Sequence, residues 1–204
     1  MSVAYYDTNA RAYFDSTVLA DMKELRARFL HPVRPGGAIL DAGCGSGRDA
    51  RAFSEAGYLV TAFDASAEMV RLAKAYTGLP ILHMMFGQMD WQGTFDGIWS
   101  SASLLHVPRA DLASVFRQFT HALAEDGTWY LSMKEGTMTR TIDGRLFTDV
   151  AESELRGLLV DAGLDVVEMW RTDDVRPERS DCWLNALVQK NGPGILQSGS
   201  SDAG

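Results

Sequence analysis

Short runs of consecutive apolar residues alternate with stretches of helical spacing along most of this chain. The runs at 38–43, 59–64, 81–86, 95–100, 128–133, 165–170 and 183–189 read as seven strands. Between them, Met69, Leu72, Ala73 and Tyr76 recur at helical spacing behind Ser66, a good N-cap, and Gly78-Leu79-Pro80 stops that helix. Leu112, Val115, Phe116 and Phe119 form the inner face of a helix opened by Pro108. Leu155, Leu158, Leu159 and Ala162 do the same behind Asp149 and Glu152, which resemble a capping box. Near the start, Val18, Leu19, Met22, Leu25 and Phe29 predict one helical face, ended by Pro32 and Pro35-Gly36-Gly37.

Strands alternating with helices imply a doubly wound α/β fold, a mostly parallel sheet with helices on both faces. No helix separates the last two strands, so the final one is expected to run antiparallel. The expected organisation is an N-terminal helical segment over 1–35, one domain over 36–190, and a Gly/Ser-rich disordered tail over 191–204. The segment 134–150 reads as a long loop of functional interest.

Composition narrows the picture. A 204-residue chain with 46% hydrophobic and 23% charged residues suits one soluble domain. The net charge of −8 argues against binding phosphate backbones, so no nucleic-acid partner is expected. No run has the length of a membrane span, and two cysteines do not make a disulfide scaffold; a cytoplasmic location is the expectation.

The most informative chemistry lies where two strands end. Ile39-Leu40-Asp41-Ala42-Gly43-Cys44-Gly45-Ser46-Gly47 carries a strand into a glycine turn, and Leu59-Val60-Thr61-Ala62-Phe63 ends in Asp64. Glycines let a backbone approach a ligand closely, and an acid at the next strand tip suits the two hydroxyls of a ribose. A dinucleotide fingerprint is the rival, but it needs a third glycine where this chain has Arg48, and it has no use for Asp41.

These residues resemble the first motif of class I S-adenosylmethionine-dependent methyltransferases. The similarity continues through Asp64, Phe95-Asp96-Gly97-Ile98-Trp99 and Leu104-Leu105-His106-Val107-Pro108, and is nearest to small bacterial members of the tellurite-resistance and ubiquinone-biosynthesis types. It implies a Rossmann-like seven-stranded sheet with its last strand antiparallel, and S-adenosylmethionine as cofactor. It also implies that Asp41, Gly43, Cys44, Gly45 and Gly47 surround the methionine portion. Asp64 would take the ribose, Ala65 to Met69 and Gln88, Met89 and Asp90 the adenine, and Ser100 the methionyl end through its backbone. Tyr13, with Tyr5 and Tyr6, would belong to a covering N-terminal helix; packing of that helix on the sheet is the plainer alternative.

The expected activity is methyl transfer to a small-molecule acceptor by in-line displacement, with protein or RNA methylation, or cofactor binding without catalysis, as alternatives. His106 is the candidate base, against a plain turn histidine bonded to backbone before Pro108. No histidine has metal-ligand spacing, so no metal is expected. Ser100-Ser101-Ala102-Ser103 lacks the Pro-Pro-aromatic and Pro-Cys patterns of base-methylating enzymes. Lys134, Arg140 and Arg145, with Arg171, Arg176, Arg179, Trp170 and Trp183, suggest a planar or anionic acceptor.

Overall fold

A computed structural model describes residues 2–174 and 181–191 of the chain. Two N-terminal helices, α1 (Ser2–Thr17) and α2 (Lys23–Leu30), precede β1 (Ala38–Ala42), α3 (Arg48–Glu55), β2 (Leu59–Asp64), α4 (Ala67–Thr77) and β3 (Leu82–His83). There follow β4 (Phe95–Ser100), α5 (Leu112–Ala122), β5 (Leu123–Lys134), β6 (Thr139–Ile142), β7 (Arg145–Thr148), α6 (Glu152–Asp161), β8 (Leu164–Asp173) and β9 (Cys182–Lys190). The main sheet has seven strands in the order β3-β2-β1-β4-β5-β9-β8. The last strand in sequence, β9, is antiparallel to both neighbours and inserts between β5 and β8.

Both sheet faces are buried, and the strand sequences show why. Leu40, Ile98, Trp129 and Val188 join one core with Leu112, Phe116, Phe119, Leu155 and Leu159 of α5 and α6. Their strand neighbours Ile39, Trp99, Tyr130 and Leu187 join the other with Phe29 of α2 and Phe53 of α3. Successive side chains of a strand point to opposite faces, so unbroken apolar runs serve two cores. Trp99 and Tyr130 stack across β4 and β5 with centroids 4.0 Å apart.

Four expectations are corrected. The expected N-terminal helical face is broken: Val18 to Met22 connect α1 to α2, and Leu19 is 87% exposed while Met22 and Phe29 are buried. Strand β3 is only two residues long, because the chain turns into a 3-10 helix at Phe86–Gln88. Ala151 caps α6 with no side-chain bond, because buried Asp149 instead takes the guanidinium of Arg140. The presumed loop at 134–150 contains a hairpin, β6–β7. Its turn, Asp143-Gly144, has φ of 50° and 76°, the left-handed pair that a two-residue hairpin turn requires. The tail expected to be disordered falls, apart from Asn191, outside the described residues.

Candidate active site

Strand order reverses between β1 and β4, and open α/β sheets bind ligands at the carboxyl ends of strands beside such a reversal. There the glycine turn is tied to β2: the amides of Gly43 and Cys44 both donate to Phe63 O at 2.9 Å. The Gly45 amide donates to Asp64 Oδ2 at 2.9 Å, and the Ser66 amide to Asp64 Oδ1 at 2.9 Å. Burial pushes the Asp64 carboxyl up, opposed by these backbone donors.

The three glycines, all at positive φ, differ in what they face. A Cβ on Gly43 would lie 2.6 Å from Ser103 Cβ, and one on Gly47 would lie 2.6 Å from Thr77 Cγ2. Those two are small because protein packs against them. Gly45 is different: a Cβ there would meet only Tyr13 Cε1, at 3.6 Å. Its open side faces the cleft. Asp41, at the end of β1, is buried, and its Oδ2 has no hydrogen-bond partner. Burial, then Asp49, push its carboxyl well above the usual range. An unpaired buried acceptor beside the turn suits a cationic or hydrogen-donating ligand group, such as an amino group.

The cleft encloses about 1070 Å³ including its open mouth. Cys44 and Gly45 form one side, Tyr6 and Tyr13 of α1 the cover, and His106, Lys134, Arg145, Phe147 and Trp183 the far wall. Ala102, just after β4, also lines it and holds φ of 53°, rare for a residue with a Cβ; its amide donates to Ser132 Oγ at 2.8 Å.

His106 has a defined hydrogen-bonding state. Its Nδ1 lies 2.6 Å from Leu146 O, so it is the protonated nitrogen and donates to that carbonyl. Nε2 is therefore the acceptor, taking the Tyr6 hydroxyl at 2.7 Å. Burial, followed by the nearby Arg145 and Lys134 charges, lowers its pKa to about 4, against some help from the Leu146 bond. Burial, then the neighbouring Tyr13, drive the Tyr6 phenol far up. The histidine thus bonds backbone, as the plainer reading has it, but in the distant hairpin and not in its own turn, and it still faces the cleft.

Helix α1 spans the site. Ser66 Oγ donates to Asp7 Oδ1 at 2.6 Å on the α4 side, and the Leu146 amide donates to Ser2 Oγ at 3.0 Å on the hairpin side. Tyr6 and Tyr13 meet edge to face at 4.9 Å, and both pack with Met69 of α4.

Other expected residues contribute less directly. Ala65 O meets His83 Nε2 at 3.0 Å, and the buried Met69 packs beneath α1. Gln88 turns its Oε1 back to the Met85 amide, Met89 points into the core, and Asp90 is exposed. The Ser100 hydroxyl accepts from Trp129 Nε1 at 2.8 Å and is wholly buried, so only its backbone could serve a ligand. Among the basic residues, Lys134 and Arg145 reach the cleft. Arg140 is taken by Asp149, while exposed Arg171 pairs with Glu135 and Glu152. Trp170 lies under Arg28, 4.3 Å from centroid to guanidinium. Arg176 and Arg179 lie outside the described residues. Ser132 and Asn185 also line the cleft and carry no sequence signal of their own. Arg145 and Phe147 did carry one, the Asp-Gly turn between them and β6.

The fold and this cleft define an α/β domain with a candidate ligand site at the carboxyl ends of its strands, and comparison with known proteins points to a class. A family described as a methyltransferase domain matches residues 39–127. The ubiquinone biosynthesis O-methyltransferase of Xanthomonas campestris is 29% identical over 139 residues, covering 60% of this chain and 56% of that protein. The 2-heptyl-1-hydroxyquinolin-4(1H)-one methyltransferase of Mycobacteroides abscessus is 27% identical over 173 residues, covering 80% of this chain and 68% of that one. The chain thus spans little more than half the length of the first of these relatives. Among solved structures, the Burkholderia thailandensis 1,6-didemethyltoxoflavin-N1-methyltransferase, with bound S-adenosylhomocysteine, superposes with a TM-score of 0.76. It has 24% identity and covers 93% of this chain and 85% of its own. A TehB-like protein from Corynebacterium glutamicum superposes with a TM-score of 0.71, at 20% identity, covering 92% and 99%. Over residues 39–127 the chain is thus similar in sequence to a methyltransferase domain, and it shares its fold with these solved methyltransferase structures.

Proposed function

We propose that the protein transfers a methyl group from S-adenosylmethionine to a small-molecule acceptor. The observation that carries this reading is the continuous cleft from the exposed side of Gly45 to His106; Asp64, bonded to the Gly45 amide, and the buried Asp41 stand just behind the turn that borders it. Bound S-adenosylmethionine supplies a methyl on a sulfonium, open to in-line displacement by an acceptor.

Asp64 would hold the ribose, each oxygen keeping its backbone amide and offering its remaining lone pair to a ribose hydroxyl. Asp41 would meet the amino group across the turn formed by Gly43, Cys44, Gly45 and Gly47. The adenine side falls to Ala65, Met69 and the backbone of Gln88, Met89 and Asp90, beneath the Asp7–Ser66 clasp. Ser100 would contribute its backbone, and Tyr13 would close over the turn. At the reacting end, His106 offers a neutral Nε2 that accepts from Tyr6 or from an acceptor N–H or O–H. Tyr6 and α1 exclude water there, which strengthens every electrostatic interaction inside.

Substrate size supports a small acceptor, because α1 roofs the cleft from α4 to the hairpin and leaves little room for a polymer. Two free thiols fit a reducing compartment, the cytoplasm. The test is a panel of phenolic, N-heterocyclic and carboxylic acceptors incubated with labelled donor. Acceptor-dependent S-adenosylhomocysteine release is expected; donor binding with no turnover on any small acceptor would contradict the reading.

A further inference from the structure

The wall opposite the glycine turn is ordered by charge. Arg145 stacks on Tyr5 at 4.1 Å and lies 5.2 Å from the Phe147 ring centroid. Lys134 lies between that ring, at 5.2 Å, and Trp183, at 5.7 Å. Beyond them, Asp173 and Asp174 line the cleft from the end of β8, with Trp183 Nε1 donating to Asp174 at 3.3 Å. One end of this wall is cationic and aromatic, and the other is acidic.

The two cations are not equally engaged. Lys134 Nζ is paired with Asp181 at 2.5 Å. The Arg145 side chain is only 12% exposed; it reaches the Tyr6 hydroxyl, its carboxylate contact among the described residues, Asp143 at 3.6 Å, is largely in solvent, and its Nε has no hydrogen-bond partner. A buried guanidinium N–H without a partner is costly, and an anionic oxygen or nitrogen would satisfy it. The Phe147 ring meets His106 edge to face at 5.2 Å and is only 6% exposed, so a flat acceptor in this narrow corner of the cleft meets the edge of Phe147 with its heteroatom turned to Arg145.

We propose that the acceptor is a planar, conjugated acid of the phenol, enol or acidic ring N–H type, held as its anion against Arg145 and the Phe147 ring. This deepens the proposed function and rests on it. The acceptor's O–H or N–H bond breaks heterolytically in bulk water, which takes the proton before the anion enters the cleft, and the electron pair stays on the atom to be methylated. His106 accepts hydrogen bonds without taking that proton. The groups that face it are Tyr6 from α1, Lys134 from β5 and Arg145 from β7. The cations that disfavour an imidazolium there favour an acceptor anion.

Para-nitrophenol tests this, since its phenolate absorbs visible light and its phenol does not. S-adenosylhomocysteine is first titrated into the full chain; failure at that step defeats the methyl-donor reading itself. The dye is then titrated into the saturated complex, and its absorbance followed with pH. Bound dye is expected to ionise at least one pH unit below free dye, about a tenfold gain in anion affinity over phenol. Arg145→Gln should abolish that shift while keeping S-adenosylhomocysteine affinity and fold, and Lys134→Gln should reduce it. Dye that does not bind, or ionises at the same or higher pH when bound, overturns the proposal alone. A full shift retained in folded Arg145→Gln also overturns it.

Discussion

Replacing His106 with Gln should remove an acid-sensitive component of stability, and its size follows from the burial of the ring. The folded chain protonates His106 only near pH 4, because burial and the Arg145 and Lys134 charges oppose the imidazolium, whereas an unfolded histidine protonates near 6.5. Between those values the unfolded chain carries the extra proton. Stability therefore rises with pH there: the contribution is fully present above about 6.5 and is lost as pH falls toward about 4. At 1.36 kcal/mol per pH unit the whole window amounts to roughly 3 kcal/mol. Asp41 and Asp64 have raised folded pKa values and work in the opposite direction, losing stability as pH rises, so wild type alone would give a mixed slope. Subtracting the variant isolates the histidine. Urea unfolding followed by tryptophan fluorescence should show the wild-type advantage over His106→Gln shrinking by roughly 3 kcal/mol between neutral and acid pH. An advantage that does not change with pH would refute the buried neutral imidazole.

Other expectations follow from single contacts. Tyr6→Phe leaves His106 Nε2 without its donor, so stability should drop by about 1–3 kcal/mol in thermal unfolding; an unchanged midpoint would contradict the bond. Gly47→Ala forces a Cβ against Thr77 at a left-handed φ and should destabilise the chain by about 1–3 kcal/mol. Gly45→Val, which faces the cleft, should keep the fold at a cost of about 1–2 kcal/mol and lose donor binding in calorimetry. Gly144→Val breaks the left-handed hairpin turn that carries Arg145 and Phe147; acceptor turnover should fall while S-adenosylhomocysteine affinity is unchanged.

The sheet was readable because buried parallel strands need apolar residues on both sides: Ile39-Leu40 and Ile98-Trp99 each supply one to either core. The meeting of Gly45 with Asp64 was readable because the turn and the strand tip fix both within a short stretch of backbone. The hairpin was missed although Asp143-Gly144 announces it, since β6 exposes most of its residues and offers no apolar run. Asp149 was misassigned as a cap because sequence spacing cannot show that Arg140, across the hairpin, claims its carboxylate. Nor could sequence place Tyr6 on His106: they are 100 positions apart, and only the way α1 lies across the cleft brings them together. The identity of the far wall likewise depends on how β5, β7 and β9 converge, which no local pattern records.

The most direct test of the account is calorimetric titration of S-adenosylhomocysteine into the full chain and into Asp64→Ala, with NAD in parallel. Saturable binding is predicted, with no NAD binding, and the variant should be weaker by about 1.5–3 kcal/mol, the scale of hydrogen bonds to a charged group. That is a loss of roughly tenfold to more than a hundredfold in affinity. No binding to wild type, or equal affinity in a folded Asp64→Ala, would contradict it.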